Sequence, residues 1–405
     1  MNTLLDRPRC GKRVLLTGGT GYLGALIAAQ ILHDGWADYL LIPTRKLIEK
    51  SMPDDICNEL QALGSIPEDF FSCIQTVQWQ NAELTEIQDL YAMIKNFGIN
   101  SIIHCAGCLD YYNDDALNAI NIEFTMRLTV AAKMAGVEFF AYISTAYSAG
   151  YAGRMVPETA LSEPCADPTS YTRTKRAAEH LIQNYEVPFI VVRPSIVIGD
   201  SATGRYSGKR YGLYQQWMGI ERLLCDRYHS NLHLVGTDEP VNLLHQDTFQ
   251  ASIAYLLRWI PISAYVNLVS DNASVPSMKA LWRLVGEVML HPRSITFYDN
   301  LKQINLKTLD IRQRSYLTFA RTNLEIAAYP WQFERQWLPL LQQRGLQFAE
   351  ASVTTVQTCL DRFVRSSTVM QKYHECFHSE FADHIVYRDS IHNARIPLAA
   401  NTRGT

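Results

Sequence analysis

Residues 14–24, VLLTGGTGYLG, set an apolar run directly against Gly18, Gly19, Gly21 and Gly24, and the helical stretch ALIAAQIL follows at once. A strand, a glycine turn and a helix in that order raise a glycine pattern above coincidence. The spacing reads as G-x-G-x-x-G from Gly19 or as T-G-x-x-G-x-x-G from Thr17. In either register the missing Cβ atoms let the backbone turn sharply and approach a pyrophosphate, while the amides at the helix N-terminus face the anion. The expected ligand is a dinucleotide held through the main chain.

Outward from this stretch, apolar runs alternate with amphipathic ones through the first half of the chain, the pattern of a parallel sheet with crossover helices. Strands are predicted at 13–17, 38–43, 73–79, 101–105, 138–143, 188–193 and near 264–269. Helices are predicted at 21–33, 85–96, 114–135 and 169–184, with an irregular helical insertion over 47–63. Residues 200–240 are rich in glycine, tyrosine and basic groups, as loops and short helices are. From about 271 helical patterns dominate without further clear strands. The expected fold is α/β: a Rossmann-type doubly wound parallel sheet with a smaller, mostly helical C-terminal substrate region. Residues 1–200 and 240–270 form the predicted NADP-binding part, and 201–239 with 271–405 the substrate side.

Composition narrows the function. Among 405 residues, 47% are hydrophobic and the net charge is −3, so nothing announces a nucleic acid or an anionic membrane as partner. The most apolar long window, Phe249 to Val269, is interrupted by Arg258 and Pro261 and reads as helix, turn and strand rather than a membrane span. The first 13 residues carry charges and a proline where a secretory signal needs an apolar core, and read as a short arm. Nine scattered cysteines, an odd number, suit reduced thiols in a cytoplasm. Cys105 and Cys108 form a Cys-x-x-Cys pair, but no second pair at zinc-binding spacing accompanies it.

Which dinucleotide is decided near residue 45. An acidic residue there would grip a ribose 2′-hydroxyl, but LLIPTRK puts Arg45 and Lys46 in place of one. A cation suits a 2′-phosphate, and charge-assisted bonds imply a preference for NADPH of about ten- to a hundredfold. The alternative is a solvated basic turn with loose specificity.

The segment DPTSYTRTKRAAEHL, 167–181, sets Tyr171 and Lys175 four residues apart on one helical face. A phenol titrating near 10 is a poor acid–base catalyst at neutral pH until a neighbouring cation stabilises the phenolate, and Lys175 can supply that field. Upstream, strand 138–143 runs into Ser144 and Thr145, whose hydroxyls emerge at the carboxyl edge of the sheet, where open α/β folds bind ligands.

Together these residues resemble the extended short-chain dehydrogenase/reductases. TGGTGYLG matches their cofactor loop, HCAG at 104–107 their fourth-strand turn, STAY at 144–147 their hydroxyl site, YTRTK at 171–175 their catalytic pair and RPSIVIGD at 193–200 the segment beside nicotinamide. Within the group, ISTAY with RPSIVIGD looks most like the fatty acyl reductase and thioester reductase branch. The likeness is good from about 13 to 200 and thinner to 270. It implies that Thr145, or Ser144, orients the carbonyl, that Tyr171 hydrogen-bonds or protonates the developing oxyanion, and that Lys175 binds the nicotinamide ribose and lowers the tyrosine pKa. It further implies cofactor contacts at Gly18, Thr20, Gly21, Tyr22, Leu23, Arg45, Glu83, Leu84, Cys105, Ala106, Pro194 and Ile196. Glu83 departs from the family, which has Asp-Leu where AELTE stands here.

The implied activity is NADPH-dependent reduction of an acyl thioester to aldehyde or alcohol. No adenylation or carrier segment is present, so an acyl or peptidyl carrier protein is expected in trans, or a coenzyme A ester as substrate. GRYSGKRYGLYQQWMG, 204–219, puts Arg205, Lys209 and Arg210 where a phosphopantetheine arm could enter; the plainer reading is a solvated lid loop. Two rival functions use the same residues. One is an NADP-dependent ketone or aldehyde reductase or a sugar-nucleotide epimerase, and the other a non-catalytic nucleotide sensor. No metal is expected: HECFHSEFADH, 374–384, contains H-E-x-x-H, but on an unbroken helix His384 would lie about 15 Å from His374, and every zinc ligand must be about 2 Å from one ion.

Overall fold

The computed structural model describes residues 2–44, 54–64, 74–78, 86–153, 155–208 and 211–390. Twelve strands occur among them: β1 (Lys12–Thr17), β2 (Ala37–Thr44), β3 (Ile74–Gln78), β4 (Ser101–His104), β5 (Phe139–Ile143), β6 (Phe189–Pro194), β7 (Ile196–Ile198), β8 (Asn231–Val235), β9 (Leu243–His245), β10 (Ala264–Leu268), β11 (Ser294–Tyr298) and β12 (Val386–Asp389). The main sheet runs β10-β6-β5-β4-β1-β2-β3, and every neighbouring pair is parallel. The chain winds outward from β1 in one direction through β2 and β3, then returns to β4 on the other side. The switch point therefore lies between the ends of β1 and β4, where this class of fold opens a crevice.

Helices cover both faces, which explains why these strands read as continuous apolar runs. On one face the Tyr22–His33 and Gln246–Trp259 helices bury Leu26, Ile27, Phe249 and Ile253 against Val14, Leu16 and Ile42. On the other, Leu90, Leu128 and Ile182 from the Ile87–Asn96, Thr125–Ala135 and Ser170–Asn184 helices meet Leu15, Ile102 and Tyr142. Nine consecutive residues of the Tyr22–His33 helix, Gly24 to Leu32, are buried, so it is apolar all round rather than amphipathic.

The second half departs from the expectation of helices alone. Parallel pairing joins β12, β11 and β8 into a small sheet, and β7 pairs with β9. These strands are three to five residues long, and SITFY and NLHLV mix polar with apolar positions, so no long apolar run betrays them. Over this sheet the Gly212–Leu224, Met278–Val285 and Ile311–Ala327 helices assemble a separate core around Trp217, Trp282, Phe297 and Tyr316. The Trp337–Gln343 helix belongs instead to the main sheet: Trp337 and Leu338 join its core, and the Trp337 indole donates to the Tyr265 carbonyl on β10 at 3.0 Å. Among the described residues, no helix is long and apolar enough to cross a membrane.

Candidate active site

The glycine turn packs against the end of β4. Gly18 sits at φ +71°, and a Cβ there would lie 2.6 Å from the Ala106 amide nitrogen. At Gly24 a Cβ would lie 2.0 Å from the Gly18 carbonyl oxygen. Only glycine allows this bend and this close packing of helix on strand. Gly21 is the N-cap of the Tyr22–His33 helix, and no side chain caps it. First-turn amides without a side-chain acceptor beside a Cβ-free bend make a cradle that fits a pyrophosphate.

The expected site residues converge on one edge. Gly18, Thr20, Gly21, Tyr22 and Leu23 follow β1, Cys105 and Ala106 follow β4, Thr145 follows β5, and Pro194 and Ile196 bound the junction of β6 and β7. Tyr171 and Lys175 come from the Ser170–Asn184 helix, opened by a capping box between Thr169 and Thr172. Arg45, Lys46, Glu83, Leu84, Lys209 and Arg210 lie outside the described residues.

Lys175 is buried, donates to the Ile143 carbonyl at 2.7 Å and lies 4.2 Å from the centre of the Tyr142 ring. Burial lowers its ammonium to about 8, against smaller upward pulls from Cys105 and Glu179. Tyr171 is half-buried and packs its ring 5.6 Å from that of Tyr111. Burial pushes its phenol well up, and Tyr111, Cys105 and Cys108 push the same way. A downward pull from Lys175, which the resemblance implied, is not among the forces that move it. Burial likewise pushes the Cys105 thiol up to about 11, so at neutral pH it is a protonated, unreactive neighbour.

The two hydroxyls after β5 have different partners. Ser144 donates to Oε1 of Glu179, an oxygen that also accepts from Ser148 at 2.9 Å, and Oε2 of the same carboxylate accepts from Arg193 at 2.6 Å. Arg193 and Glu179 are fully buried, and Arg193 further donates to the carbonyls of Pro157 and Thr159, both at 3.0 Å. Thr145 accepts a long bond of 3.4 Å from the Tyr147 amide, and among the described residues its own hydroxyl donates to none.

Several positioning groups carried no readable signal. Asn121 accepts from the Cys108 amide at 2.8 Å and donates to Thr174 at 3.1 Å, tying the HCAG turn to the Tyr171–Lys175 helix. It lies in a π-helical segment, Asn118–Phe124, and such irregular turns gather at functional sites. His104 bridges Thr17 at 2.6 Å and Thr125 at 2.8 Å across the switch point. Burial, then the charge of Lys175, lowers it to about 3, so it is neutral.

Two sequence readings change. Arg205 forms a two-pronged pair, 2.9 and 2.8 Å, with the buried Glu59 of the Asp54–Leu63 helix, so its charge is already committed and does not await a phosphopantetheine. The helix carrying His374 ends at Phe377 and is not unbroken to His384; His374 Nε2 bonds the Met289 carbonyl at 2.9 Å.

The model of the male sterility protein family matches residues 16–248, more than half of the chain and every described site residue above. The chain belongs to this family. As a male sterility family protein it is an oxidoreductase of the extended short-chain type, related to fatty acyl-CoA reductases. It is 26% identical over 285 residues to dTDP-D-glucose 4,6-dehydratase of Mus musculus, covering 68% of this chain and 74% of the relative. It is 27% identical over 228 residues to fatty acyl-CoA reductase 1 of Gallus gallus, 46% of this chain and 43% of that protein. Its fold is shared with the terminal R domain from the myxalamid PKS-NRPS biosynthetic pathway, at a TM-score of 0.67 and 18% identity over 88% of this chain and 91% of that one.

Proposed function

We propose that this family member is an NADPH-dependent reductase of a carrier- or coenzyme A-bound acyl thioester, giving the aldehyde or the alcohol. The reading is supported by the bond from Lys175, one helical turn from Tyr171, to the Ile143 carbonyl two residues before Thr145, beside an apolar cavity that Tyr147 and Ile196 help to wall. The named fatty acyl-CoA reductase and terminal R domain relatives support it.

In this reading residues 1–200 and 240–270 hold the dinucleotide. The turn at Gly18, Thr20, Gly21, Tyr22 and Leu23 holds the pyrophosphate, Arg45 the 2′-phosphate, and Glu83 and Leu84 the adenine side. Cys105, Ala106, Pro194 and Ile196 border the nicotinamide end. A bound reduced nicotinamide supplies hydride to the thioester carbon. The protein's part is to stabilise the charge that develops on oxygen. Thr145 donates its proton to the carbonyl oxygen, and Tyr171, kept neutral by burial, donates and then transfers its own. Lys175 would hold the ribose of the nicotinamide. The thiol then leaves from a hemithioacetal, and a second reduction of the aldehyde gives the alcohol.

A reductase or epimerase of free small molecules has one observation in its favour, the longer match to dTDP-D-glucose 4,6-dehydratase. Against it stands the cavity wall, largely apolar through Trp217, Val241, Trp282 and Leu324, where the unpartnered polar atoms of Gln216 and Tyr316 suffice for one hydroxyl but not for the several of a sugar. NADPH consumption with acyl-coenzyme A, acyl-pantetheine and matching free aldehydes, with products identified by mass, tests the reading. Reduction of thioesters supports it, and turnover of sugar nucleotides or free ketones alone overturns it. A Tyr171→Phe variant that binds NADPH but loses turnover separates an enzyme from a sensor.

A further inference from the structure

Between the Gly212–Leu224, Met278–Val285 and Ile311–Ala327 helices lies a cavity of about 100 Å³. Tyr147 and Ile196 form part of its wall, and they stand two residues from Thr145 and Pro194, so it begins where the proposed carbonyl site ends. On the first helix Leu213, Gln216, Trp217 and Ile220 face it at the spacing of a single apolar stripe, interrupted once, by Gln216.

That interruption is unsatisfied. Oε1 and Nε2 of Gln216 are both buried without a hydrogen-bond partner. So is the hydroxyl of Tyr316, which lines the same cavity from the Ile311–Ala327 helix packed against the first. Burial alone pushes the Tyr316 phenol up, so it stays a neutral donor. Asn242, the cavity's other well-buried amide, is spent: it donates to the Ser270 carbonyl at 2.8 Å and accepts from the Ser270 amide at 3.1 Å. A buried polar group without a partner is destabilising, so an orphaned amide and an orphaned phenol in one apolar cavity are costly as packing and useful as recognition.

The valences specify the missing group. Gln216 offers a carbonyl acceptor and an amide that donates, and the Tyr316 hydroxyl can donate or accept, so three polar atoms await a partner. A hydroxyl has one proton to give and two lone pairs to receive, and answers all three from a single oxygen. A ketone answers the donors and leaves Oε1 unmet. We propose that the acyl group reduced by this protein carries a hydroxyl on an otherwise apolar short chain, and that Gln216 and Tyr316 are its specificity residues. The size follows from the cavity, which at about 100 Å³ is smaller than the roughly 150 Å³ that takes a benzene ring. This deepens the thioester-reductase reading and rests on it for the chemistry, but not for the binding.

The test compares acyl-pantetheine thioesters of about six carbons, unsubstituted, hydroxylated at successive carbons, or bearing an amide. Each is followed by NADPH oxidation and, independently, by calorimetric binding. One hydroxylated member should exceed the unsubstituted chain about ten- to a hundredfold in kcat/KM and bind correspondingly tighter. Gln216→Met, which restores the apolar stripe, should bring that ratio to within about threefold of unity. Tyr316→Phe, which removes only an oxygen, should lower it about three- to tenfold and guards against a misfolded Gln216 variant. Preference for the unsubstituted or amide chain, or a ratio unmoved by both substitutions, overturns the proposal. If nothing is reduced but the hydroxylated thioester still binds preferentially, the reductase reading fails and the pocket assignment stands.

Discussion

The hydroxyl of Ser144 donates to the carboxylate of Glu179, and that carboxylate is the buried counter-ion of Arg193. One side chain thus joins the end of β5, the helix of Tyr171 and Lys175, and β6. Ser144 is committed to Glu179, so in the proposed reading Thr145 is the hydroxyl that meets a substrate oxygen. Thr145→Ala is expected to lower kcat about 10²–10³-fold with a small change in Tm, the loss typical of one oxyanion donor. Ser144→Ala should keep kcat within about tenfold of the parent while lowering stability by about 1–3 kcal/mol, because a buried charged acceptor loses a partner. Steady-state kinetics beside thermal unfolding checks both, and the opposite ranking would reassign the roles.

The ammonium of Lys175 sets an alkaline limit. Its pKa is lowered, so it carries charge below about 8 and loses it as pH rises through that value. NADPH oxidation should therefore be flat on the acid side of this limb and fall about tenfold per pH unit above it. Lys175→Arg, whose guanidinium keeps its proton throughout, should be slower but should lose the limb. A limb that persists near 8 in Lys175→Arg would assign it to another group.

What the sequence made legible was periodic or punctuated. Long apolar runs marked the strands from β1 to β6 and β10, and Gly18 to Gly24 marked the crevice, because a parallel sheet covered on both faces leaves no polar alternation to confuse. Tyr171 and Lys175 stood out through helical spacing. Asn121, His104 and Glu179 did not, since each acts through partners 13 to 87 residues away in sequence. The β8-β11-β12 sheet was missed for a related reason: its strands are short and lie far apart in the chain. Arg205 was misread because nothing at 204–208 announces Glu59 as its partner.

Gly18→Ala tests the cradle. The substitution places a methyl 2.6 Å from the Ala106 amide and forces an L-residue to φ +71°. Left-handed backbone alone costs about 1–2 kcal/mol, and the clash with main chain cannot be relieved by a side-chain rotation. Dinucleotide uptake by calorimetry should weaken at least about tenfold. Wild-type affinity in a folded Gly18→Ala variant would move the phosphate site elsewhere.

Cofactor choice should turn on Arg45. Replacing it by glutamate removes the cation offered to a 2′-phosphate and supplies the acid that suits a ribose diol. The ratio of kcat/KM for NADPH over NADH should fall about ten- to a hundredfold in Arg45→Glu. An unchanged ratio would mean that the basic turn is merely solvated.

Arg205 offers a prediction that separates a staple from a substrate contact. Its guanidinium is about a third exposed, but the Glu59 carboxylate it grips is 1% exposed, so Arg205→Ala strands a buried charge. A fully buried pair broken this way loses about 3–5 kcal/mol, and the partial exposure here should reduce the loss to about 2–3 kcal/mol. Glu59→Gln should lose less, because the amide keeps an acceptor for Arg205 and needs no counter-ion. KM for a thioester should stay within about threefold in Glu59→Gln, since the pair lies between the Asp54–Leu63 helix and the 200–208 loop rather than in the wall of the acyl cavity. If Arg205→Ala instead leaves unfolding unaltered and raises KM for carrier-bound but not for free pantetheine substrates, the residue meets the carrier after all, and its bond to Glu59 is one that the carrier displaces.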